Sequence, residues 1–523
     1  MLMWIRQSVA AEKYLFLLAC VACGIPVWIP HFPPMVDLPQ HAAQVALLLN
    51  LGKADFPFTE LFHLNLFTPY LLGYGLIAAF TPSLGIAAAC KLIIWIALAA
   101  FATSTRLLLR EAKADPYWAW LTFPVLYGFT YQWGLLNFLI AAPIGLLFLT
   151  LVWRNKTQPS LRSSVTIMLM LMALFFSHAI ILGFFSLIAM AYWFFSVKRL
   201  RDFFKCAWPM VAIVPLIVIW FAQARNHQLT SFPTEWDLSW FKTSDDYYYR
   251  IAAWADQANP GWGRINGFFP RLMGKRPELL LTLLGVFLLA LPFLSGGRIS
   301  KSPVRLIPLL ILSFMLLLLP TYLFRTMYTS QRFTYLFIPI YLMLIDTPVS
   351  LGQVQRYLRW LAPVIAFGWI GYMSIQAIQF NKDMDGFDTI LAKMEPGKRT
   401  LSLVFARDDS YSIAPVLLHF PSWYSALKSG ITDPSFATSV QLPVVFKPEY
   451  VPMAKPDGFV WNPEWFDWQK HEGSKYDYFV VRAPDDHGAN LFRTATCKIE
   501  LAAQEGQWWL YRKEQNCAFV PAL

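Results

Sequence analysis

Long apolar stretches dominate residues 1–379 of the chain. A helix that crosses the roughly 30 Å hydrocarbon core of a bilayer needs about 20 residues, and several stretches reach that length. The 164–197 run is too long for one crossing, and its interruption at Ser177-His178 predicts two helices that meet there. The interruption at Thr81-Pro82 predicts a shorter, re-entrant helix before one full crossing. The apolar runs cover 14–30, 68–109, 117–131, 134–153, 164–197, 206–223, 278–294, 304–322, 334–346 and 359–379.

Basic residues are concentrated in short connections between these runs, at 6–13, 106–113, 154–162, 198–205, 298–305 and 356–359. Since cytoplasmic loops carry an excess of Lys and Arg, we expect these connections in the cytoplasm, which gives about 11 crossings. The N-terminus is then cytoplasmic and the C-terminus is external. The external segments are 31–67, the turn near 131–137, 224–277, 323–333 and the tail 380–523.

The tail has a different pattern from the rest of the chain. Short β-branched or aromatic runs bounded by turn residues predict strands at 399–405, 478–482 and 508–512, and residues 384–395 are typical of a short helix. We therefore predict an all-α polytopic membrane domain over 1–379, including loops 31–67 and 224–277, and a small α+β periplasmic domain over 380–523. In an oxidising compartment Cys497 and Cys517 are expected to form a disulfide, the alternative being two free thiols.

Composition agrees with a membrane location. The chain is 57% hydrophobic and 14% charged, whereas soluble domains are roughly 45–50% apolar and about 25% charged. The net charge of +11 lies in short loops rather than in a Lys/Arg-rich tract, which argues against nucleic-acid binding. The sequence contains no phosphate-binding Gly loop, no His/Cys metal motif and no Ser nucleophile elbow.

The segment after the first apolar run carries candidate chemistry. Asp37 precedes Leu38-Pro39, a good helix start with Asp as the cap and Pro in the first turn. The helix that follows is predicted to be amphipathic and to lie along the membrane surface. Capping alone would explain Asp37. The alternative is a catalytic base, since an aspartate with a pKa near 3.9 is ionised at neutral pH. His41 either belongs to the polar face of this helix or lines a site.

The order of these elements resembles the C-type glycosyltransferase (GT-C) superfamily. In that family one span is followed by an external loop with an acidic residue near its start, then by many spans and a terminal external domain. The segments that carry the resemblance are Asp37 with 38–41, 67–74 at the start of the next span, and 331–335 at the start of a late span. The paired Asp-Glu of several branches is not found in the first loop.

The resemblance covers nearly the whole chain and implies a polyprenyl-phosphate sugar donor. It implies that Asp37 is the catalytic base, and we expect it to meet the cations at the outer leaflet. Arginine donates two parallel hydrogen bonds to phosphate, so Arg325 and Arg332 are expected to hold the donor, the alternative being contact with lipid headgroups. No metal ligands are predicted, and dependence on Mg²⁺ or Mn²⁺ is left open. The predicted substrate-binding residues are Gln40, His41, Tyr70, His178, Arg325, Gln331, Arg332 and Tyr335.

These expectations describe an inverting glycosyltransferase of the bacterial inner membrane with a glycan, lipid or protein acceptor. Two other functions stay open. One is an O-antigen ligase-like or polymerase-like enzyme that uses diphosphate-linked glycans. The other is a flippase or transporter of lipid-linked glycans, which would need ionisable residues deep in several spans and an internal repeat. Apart from His178 and Lys91 the spans hold few such residues, and no repeat is found.

Overall fold

A computed structural model describes residues 2–155, 160–226, 267–275, 279–319, 322–323, 326–348, 350–409, 411–439, 441–450 and 460–514. The chain divides into two compact units. Unit 1 consists of Met1–Ile29, Ile94–Tyr131 and Asn137–Gln376, and unit 2 of Pro30–Ile93, Gln132–Leu136 and Ala377–Leu523. Most of the predicted loop 224–277 lies outside the described residues.

The described part of the chain is mostly helical and has the helices of a membrane protein. Six are long and apolar enough to cross a bilayer: Ala11–Trp28, Ile86–Glu111, Leu136–Arg154, Ala179–Ser196, Leu200–Gln223 and Gln353–Asp383. Four apolar helices are shorter: Leu71–Leu84, Leu161–Ser177, Leu279–Leu294 and Pro303–Leu318. The predicted all-α membrane architecture is confirmed at this level, and the predicted count of about 11 crossings is not confirmed.

Two predicted interruptions can be compared with the backbone. The break at Ser177-His178 is confirmed, because His178 is extended (φ −168°, ψ 111°) between helices Leu161–Ser177 and Ala179–Ser196. The predicted order within 68–109, a shorter helix before one long enough to cross, is confirmed by Leu71–Leu84 and Ile86–Glu111. The break lies a few residues later than Thr81-Pro82, because Pro82 lies inside the shorter helix. That helix ends instead at Gly85, whose φ of +78° suits a residue without a Cβ atom.

Two apolar runs form short segments rather than long helices. The 117–131 run is divided between the 3₁₀ segment Pro116–Val125 and the helix Phe129–Gln132, and the 334–346 run between Phe333–Leu336 and Phe337–Leu342. Prolines within them remove a backbone donor and limit helix growth. Some spans consist of shorter elements: Ala11–Trp28 contains the end of Leu2–Ala22 and all of Ile25–Trp28, Leu200–Gln223 contains Leu200–Ala207 and most of Ile213–Asn226, and Pro303–Leu318 contains Ile307–Leu318. Further described helices of unit 1 include Phe268–Met273 and Thr329–Arg332.

Charged pairs and close helix contacts hold unit 1 together. The guanidinium of Arg106 donates to both oxygens of Glu12, at 2.7 and 2.6 Å, and the Trp120 indole donates to the same carboxylate at 2.9 Å. Such bidentate pairs combine charge with fixed geometry. A Cβ atom at Gly145 would lie 1.9 Å from the ring of Phe185, so helices Leu136–Arg154 and Ala179–Ser196 approach more closely there than a larger residue would allow.

A mixed five-stranded sheet forms the centre of the tail in unit 2. Its strands, in spatial order, are Ile499–Glu505, Trp508–Lys513, Tyr478–Arg482, Arg399–Val404 and Ile431–Asp433. Trp508–Lys513 is antiparallel to the strands on both sides of it, and Arg399–Val404 is parallel to the strands on both sides of it. The three strands predicted in the tail are confirmed, and the predicted helix is found at Phe387–Lys393. Two strands were not predicted, Ile431–Asp433 and Ile499–Glu505.

Unit 2 joins the tail to the first loop of the chain. Strand Phe62–Leu64 pairs antiparallel with Val444–Phe446, with Phe62 opposite Phe446. Residues 377–523 thus fold together with 30–93, whereas the sequence assigned loop 31–67 to the membrane domain. The periplasmic location of the tail stays a prediction.

The described cysteines of the tail and of the helices differ in oxidation state. Cys497 is disulfide-bonded, whereas Cys20, Cys23, Cys90 and Cys206 are in the thiol form. Cys517, the partner expected from the sequence, lies outside the described residues.

Candidate active site

Backbone contacts fix the position of Asp37 in unit 2. The Val36 amide donates to the Gln132 carbonyl at 2.8 Å, and the Asp37 amide donates to the Trp133 carbonyl at 3.2 Å. Gly134 follows with φ +70°, and a Cβ atom there would lie 2.9 Å from the Asp37 amide nitrogen. The 132–134 turn therefore contacts the backbone directly before the helix that begins at Leu38.

The helix predicted after Asp37 spans Leu38–Asn50. Asp37 is its N-cap residue by position, but its side chain makes no capping hydrogen bond. Capping therefore does not account for this carboxylate. All ten residues from Leu38 to Leu47 are buried within the protein, so the helix has no polar face open to solvent. Its placement along the membrane surface stays a prediction.

His419 of the tail contacts the Asp37 side chain. Its Nε2 lies 3.7 Å from Asp37 Oδ1, and the two side chains are 13% and 17% exposed. Burial lowers the pKa of His419 to about 4. The imidazole is therefore neutral at pH 7, and the contact is not an ion pair. The Asp37 side chain, which is partly exposed, is accessible to solvent.

His41 lies one turn after Asp37, and residues four apart share a helix face. Its Nδ1 forms a 2.6 Å hydrogen bond with the Tyr74 hydroxyl. The ring of Phe436 lies between the two histidines, 5.7 Å from His41 and 5.5 Å from His419 between ring centroids. We call Asp37, His41, Tyr74, His419 and Phe436 the Asp37 cluster. It places a carboxylate and two imidazoles, the usual groups for proton transfer, in one region of unit 2.

The amide of Gln40 is already engaged in hydrogen bonds within unit 2. Its Nε2 donates to Ser422 Oγ at 2.9 Å and to the Pro434 carbonyl at 2.6 Å. Its Oε1 accepts from the Phe436 amide at 3.0 Å. These bonds favour a role in positioning the helix and Phe436 over direct contact with substrate. Tyr70 is half-buried directly before helix Leu71–Leu84, and its predicted role stays a prediction.

A second polar group lies in unit 1, where four predicted residues are found. Arg332 donates from Nε and Nη2 to the Met327 carbonyl, at 3.1 and 2.8 Å, and its Nη1 lies 3.4 Å from His178 Nε2. Gln331 is buried and accepts from the Ser330 hydroxyl at 3.0 Å. The structure thus brings His178 and Arg332 together at the break between two helices.

Tyr335 has an aromatic environment in the same unit. It is 2% exposed and stacks on Phe101 at 4.1 Å between ring centroids. Arg325 lies outside the described residues. The assignment of these unit 1 residues to donor binding stays a prediction.

Among the residues that the structure describes, no group of three or more His, Cys, Asp or Glu side chains is arranged to hold a metal ion. The Asp37 cluster contains one carboxylate, whereas oxygen-rich sites for Mg²⁺ or Mn²⁺ usually contain more. A carboxylate beside two imidazoles is suited to proton transfer.

No protein-family model matches the chain, and no curated protein matches it. Among solved structures the chain is similar to ArnT from Cupriavidus metallidurans in the apo state, with 14% sequence identity and a TM-score of 0.46. The match covers 96% of this chain and 98% of that chain.

Sequence reasoning missed two tail residues near the site. His419 occurs in an ordinary Leu-Leu-His-Phe stretch, and no local signal connects it with Asp37. Arg407 donates to the Trp461 carbonyl at 2.6 Å, and its guanidinium lies 5.3 Å from the centroid of the Trp461 ring. Trp461 in turn lies 6.3 Å from Trp133, whose carbonyl accepts the Asp37 amide. A guanidinium on an aromatic face suits an anionic or sugar ligand.

Proposed function

We propose that this protein is a membrane glycosyltransferase that transfers a sugar from a polyprenyl-phosphate donor to an extracytoplasmic acceptor with inversion. One observation carries the proposal: the Asp37 carboxylate makes no helix-capping bond and lies beside an imidazole whose pKa is lowered to about 4. The described spans and the full-length resemblance to GT-C enzymes support the membrane setting and the lipid-linked donor.

In the proposed reaction Asp37 acts as the general base. Its carboxylate accepts the proton of an acceptor hydroxyl while the hydroxyl oxygen attacks the anomeric carbon of the donor. The new glycosidic bond forms as the bond from the anomeric carbon to the phosphate oxygen breaks, and polyprenyl phosphate leaves with the electron pair. One displacement inverts the anomeric configuration. Neutral His419 adds no positive charge beside Asp37, so it does not weaken the base as a cation would.

Arg332 is proposed to bind the donor phosphate. Its guanidinium contacts the Met327 carbonyl and His178, and the planar fork of such a group is suited to a phosphate oxygen. Such donors stabilise the negative charge that develops on the leaving group. We propose that the N-terminus is cytoplasmic, that the chain is in a bacterial inner membrane, and that unit 2 is on the periplasmic side. The acceptor is a glycan, a lipid or a protein.

The test is Asp37→Asn in the purified, detergent-solubilised full chain, which receives radiolabelled polyprenyl-phosphate sugars and a membrane extract as the source of acceptor. Transfer should fall by at least 10³-fold, in the range of a lost general base, while the unfolding temperature stays close to that of the wild type. Asp55→Asn is the matched control, because Asp55 is exposed in the same loop and unit. Full transfer by Asp37→Asn would exclude the base role.

The same assay separates the alternative functions. Polyprenyl-diphosphate glycans are offered in parallel with the monophosphate donors. Exclusive use of the diphosphate donor would identify a ligase-like enzyme. Movement of the intact lipid-linked sugar across reconstituted vesicles, without loss of the sugar from the lipid, would identify a flippase. Either result would replace the proposal.

A further inference from the structure

A cavity of about 150 Å³ lies in unit 2 near the Asp37 cluster. Its apolar wall contains Phe32, Phe387 and Phe420, which are 4%, 2% and 1% exposed. These rings are held by one another and by Trp423, on which Phe32 stacks at 4.5 Å. The polar part of the lining includes His31, Asn381, Asp385, Asp388 and Thr389.

The rim of the cavity is polar and open to solvent. His31 Nδ1 lies 2.9 Å from Asp388 Oδ2, and the His31 amide donates to Asn381 Oδ1 at 2.9 Å. These contacts connect the first loop to the start of the tail. The His31 and Asp388 side chains are 58% and 63% exposed, so their contact adds little to stability. Each carboxylate has about four positions that can accept a hydrogen bond, so the carboxylates of the rim can still accept hydrogen bonds from a ligand.

The chemistry of the lining selects the class of ligand. Asp385 and Asp388 accept hydrogen bonds, while Asn381 and Thr389 can both donate and accept. Within the part of the chain that the structure describes, no Lys or Arg lines the cavity, so these residues suit a neutral ligand better than the phosphate of a donor lipid. A neutral ring that presents several hydroxyl donors and some C–H surface suits both the rim and the wall. Negatively charged ligands are disfavoured by the two carboxylates.

The same short segments form the cavity and the Asp37 cluster. Phe420 lines the cavity, and the preceding residue, His419, contacts Asp37. Phe32 lines it from the loop that continues to Asp37. We propose that this cavity binds a neutral sugar ring of the acceptor, so that the acceptor is a glycan or a glycolipid. This inference rests on the proposed function, because it assigns an acceptor subsite to that reaction.

The test is direct binding of simple sugars to the purified full chain. Saturation-transfer NMR is recorded with methyl glycosides of glucose, galactose and mannose, with N-acetylglucosamine, with galacturonate and with inorganic phosphate. We expect at least one neutral sugar to bind, and the double variant Asp385→Ala/Asp388→Ala to weaken it at least tenfold. Asp55→Ala, an exposed carboxylate in the same unit, should leave binding unchanged. Galacturonate and phosphate should bind more weakly than the best neutral sugar.

Binding is measured apart from catalysis, so the two proposals can fail separately. Asp37→Asn should retain sugar binding even though it loses transfer. The subsite is refuted if no neutral sugar binds, or if binding is equal in the rim variant, whatever the transfer activity. If the double variant unfolds at a lower temperature than the wild type, Asn381→Ala takes its place, and it should also weaken sugar binding. Sugar binding without transfer from any polyprenyl-phosphate donor would refute the proposed function instead.

Discussion

Replacing Gly134 by Ala perturbs the position of Asp37 without changing its side chain. Gly134 has φ +70°, and a Cβ atom there would lie 2.9 Å from the amide nitrogens of both Asp37 and Leu38. A left-handed backbone costs a non-Gly residue roughly 1–2 kcal/mol. Relieving the contact requires a shift that weakens the bonds from Val36 and Asp37 to the 132–133 carbonyls, each contributing about 1 kcal/mol. The expected loss of stability is therefore about 3–4 kcal/mol.

Gly52→Ala is the matched control for this variant. Gly52 has φ +88° after the far end of the same helix, and its Cβ position has nothing within 4 Å. This variant carries the backbone cost of roughly 1–2 kcal/mol without the displacement of Asp37. Unfolding in detergent should show the difference in stability. Transfer from a polyprenyl-phosphate sugar should fall on the order of 100-fold in Gly134→Ala, the effect of moving a catalytic group by about 1 Å. Equal turnover in the two variants would refute the reasoning.

Three further outcomes follow from the structure. The pKa of His419 is lowered from 6.5 to about 4, so as the pH falls the unfolded chain binds this proton before the folded chain does. The free energy of unfolding should therefore be constant above pH 6.5 and fall by about 3 kcal/mol as the pH drops to 4. His419→Gln should flatten that slope in thermal unfolding. Arg332→Lys should raise the KM for the donor about tenfold, with kcat nearly unchanged, because Lys lacks the planar fork that can contact both Met327 and a phosphate. An unchanged KM would reject the role of Arg332 in donor binding. Mass spectrometry after denaturing alkylation should count four thiols before reduction and six after, unless the Cys497 bond is absent.

Local patterns predicted the features that depend on local sequence. Apolar length found the spans, and the Ser177-His178 break was visible because two polar residues interrupt a long apolar run. Alternating β-branched and aromatic residues found three strands of the tail sheet. Asp37 could be singled out because an acidic residue before Leu-Pro stands just after an apolar run. Each signal lies within a few residues of the feature it predicts.

Long-range contacts explain what the sequence did not predict. The Leu38–Asn50 helix was predicted to be amphipathic, and it carries the polar residues Gln40 and Gln44. In the structure both are buried, and their amides bond to tail residues such as Ser422 and Val444. His419 was missed for the same reason, since its neighbour Asp37 is remote in sequence. Polar residues on a helix do not reveal whether water or a distant segment supplies their hydrogen bonds.

The strand pair between Phe62–Leu64 and Val444–Phe446 has a consequence for biosynthesis. The ribosome makes the first loop early and the strand that completes it only after the spans, at about 5–20 residues per second. Asp37 therefore lacks its neighbour His419, and Phe62–Leu64 lacks its partner strand, until most of the chain has been made. Premature termination between residues 384 and 443 would leave the described spans complete and strand Phe62–Leu64 without its partner, as an open strand edge that quality-control proteases can recognise.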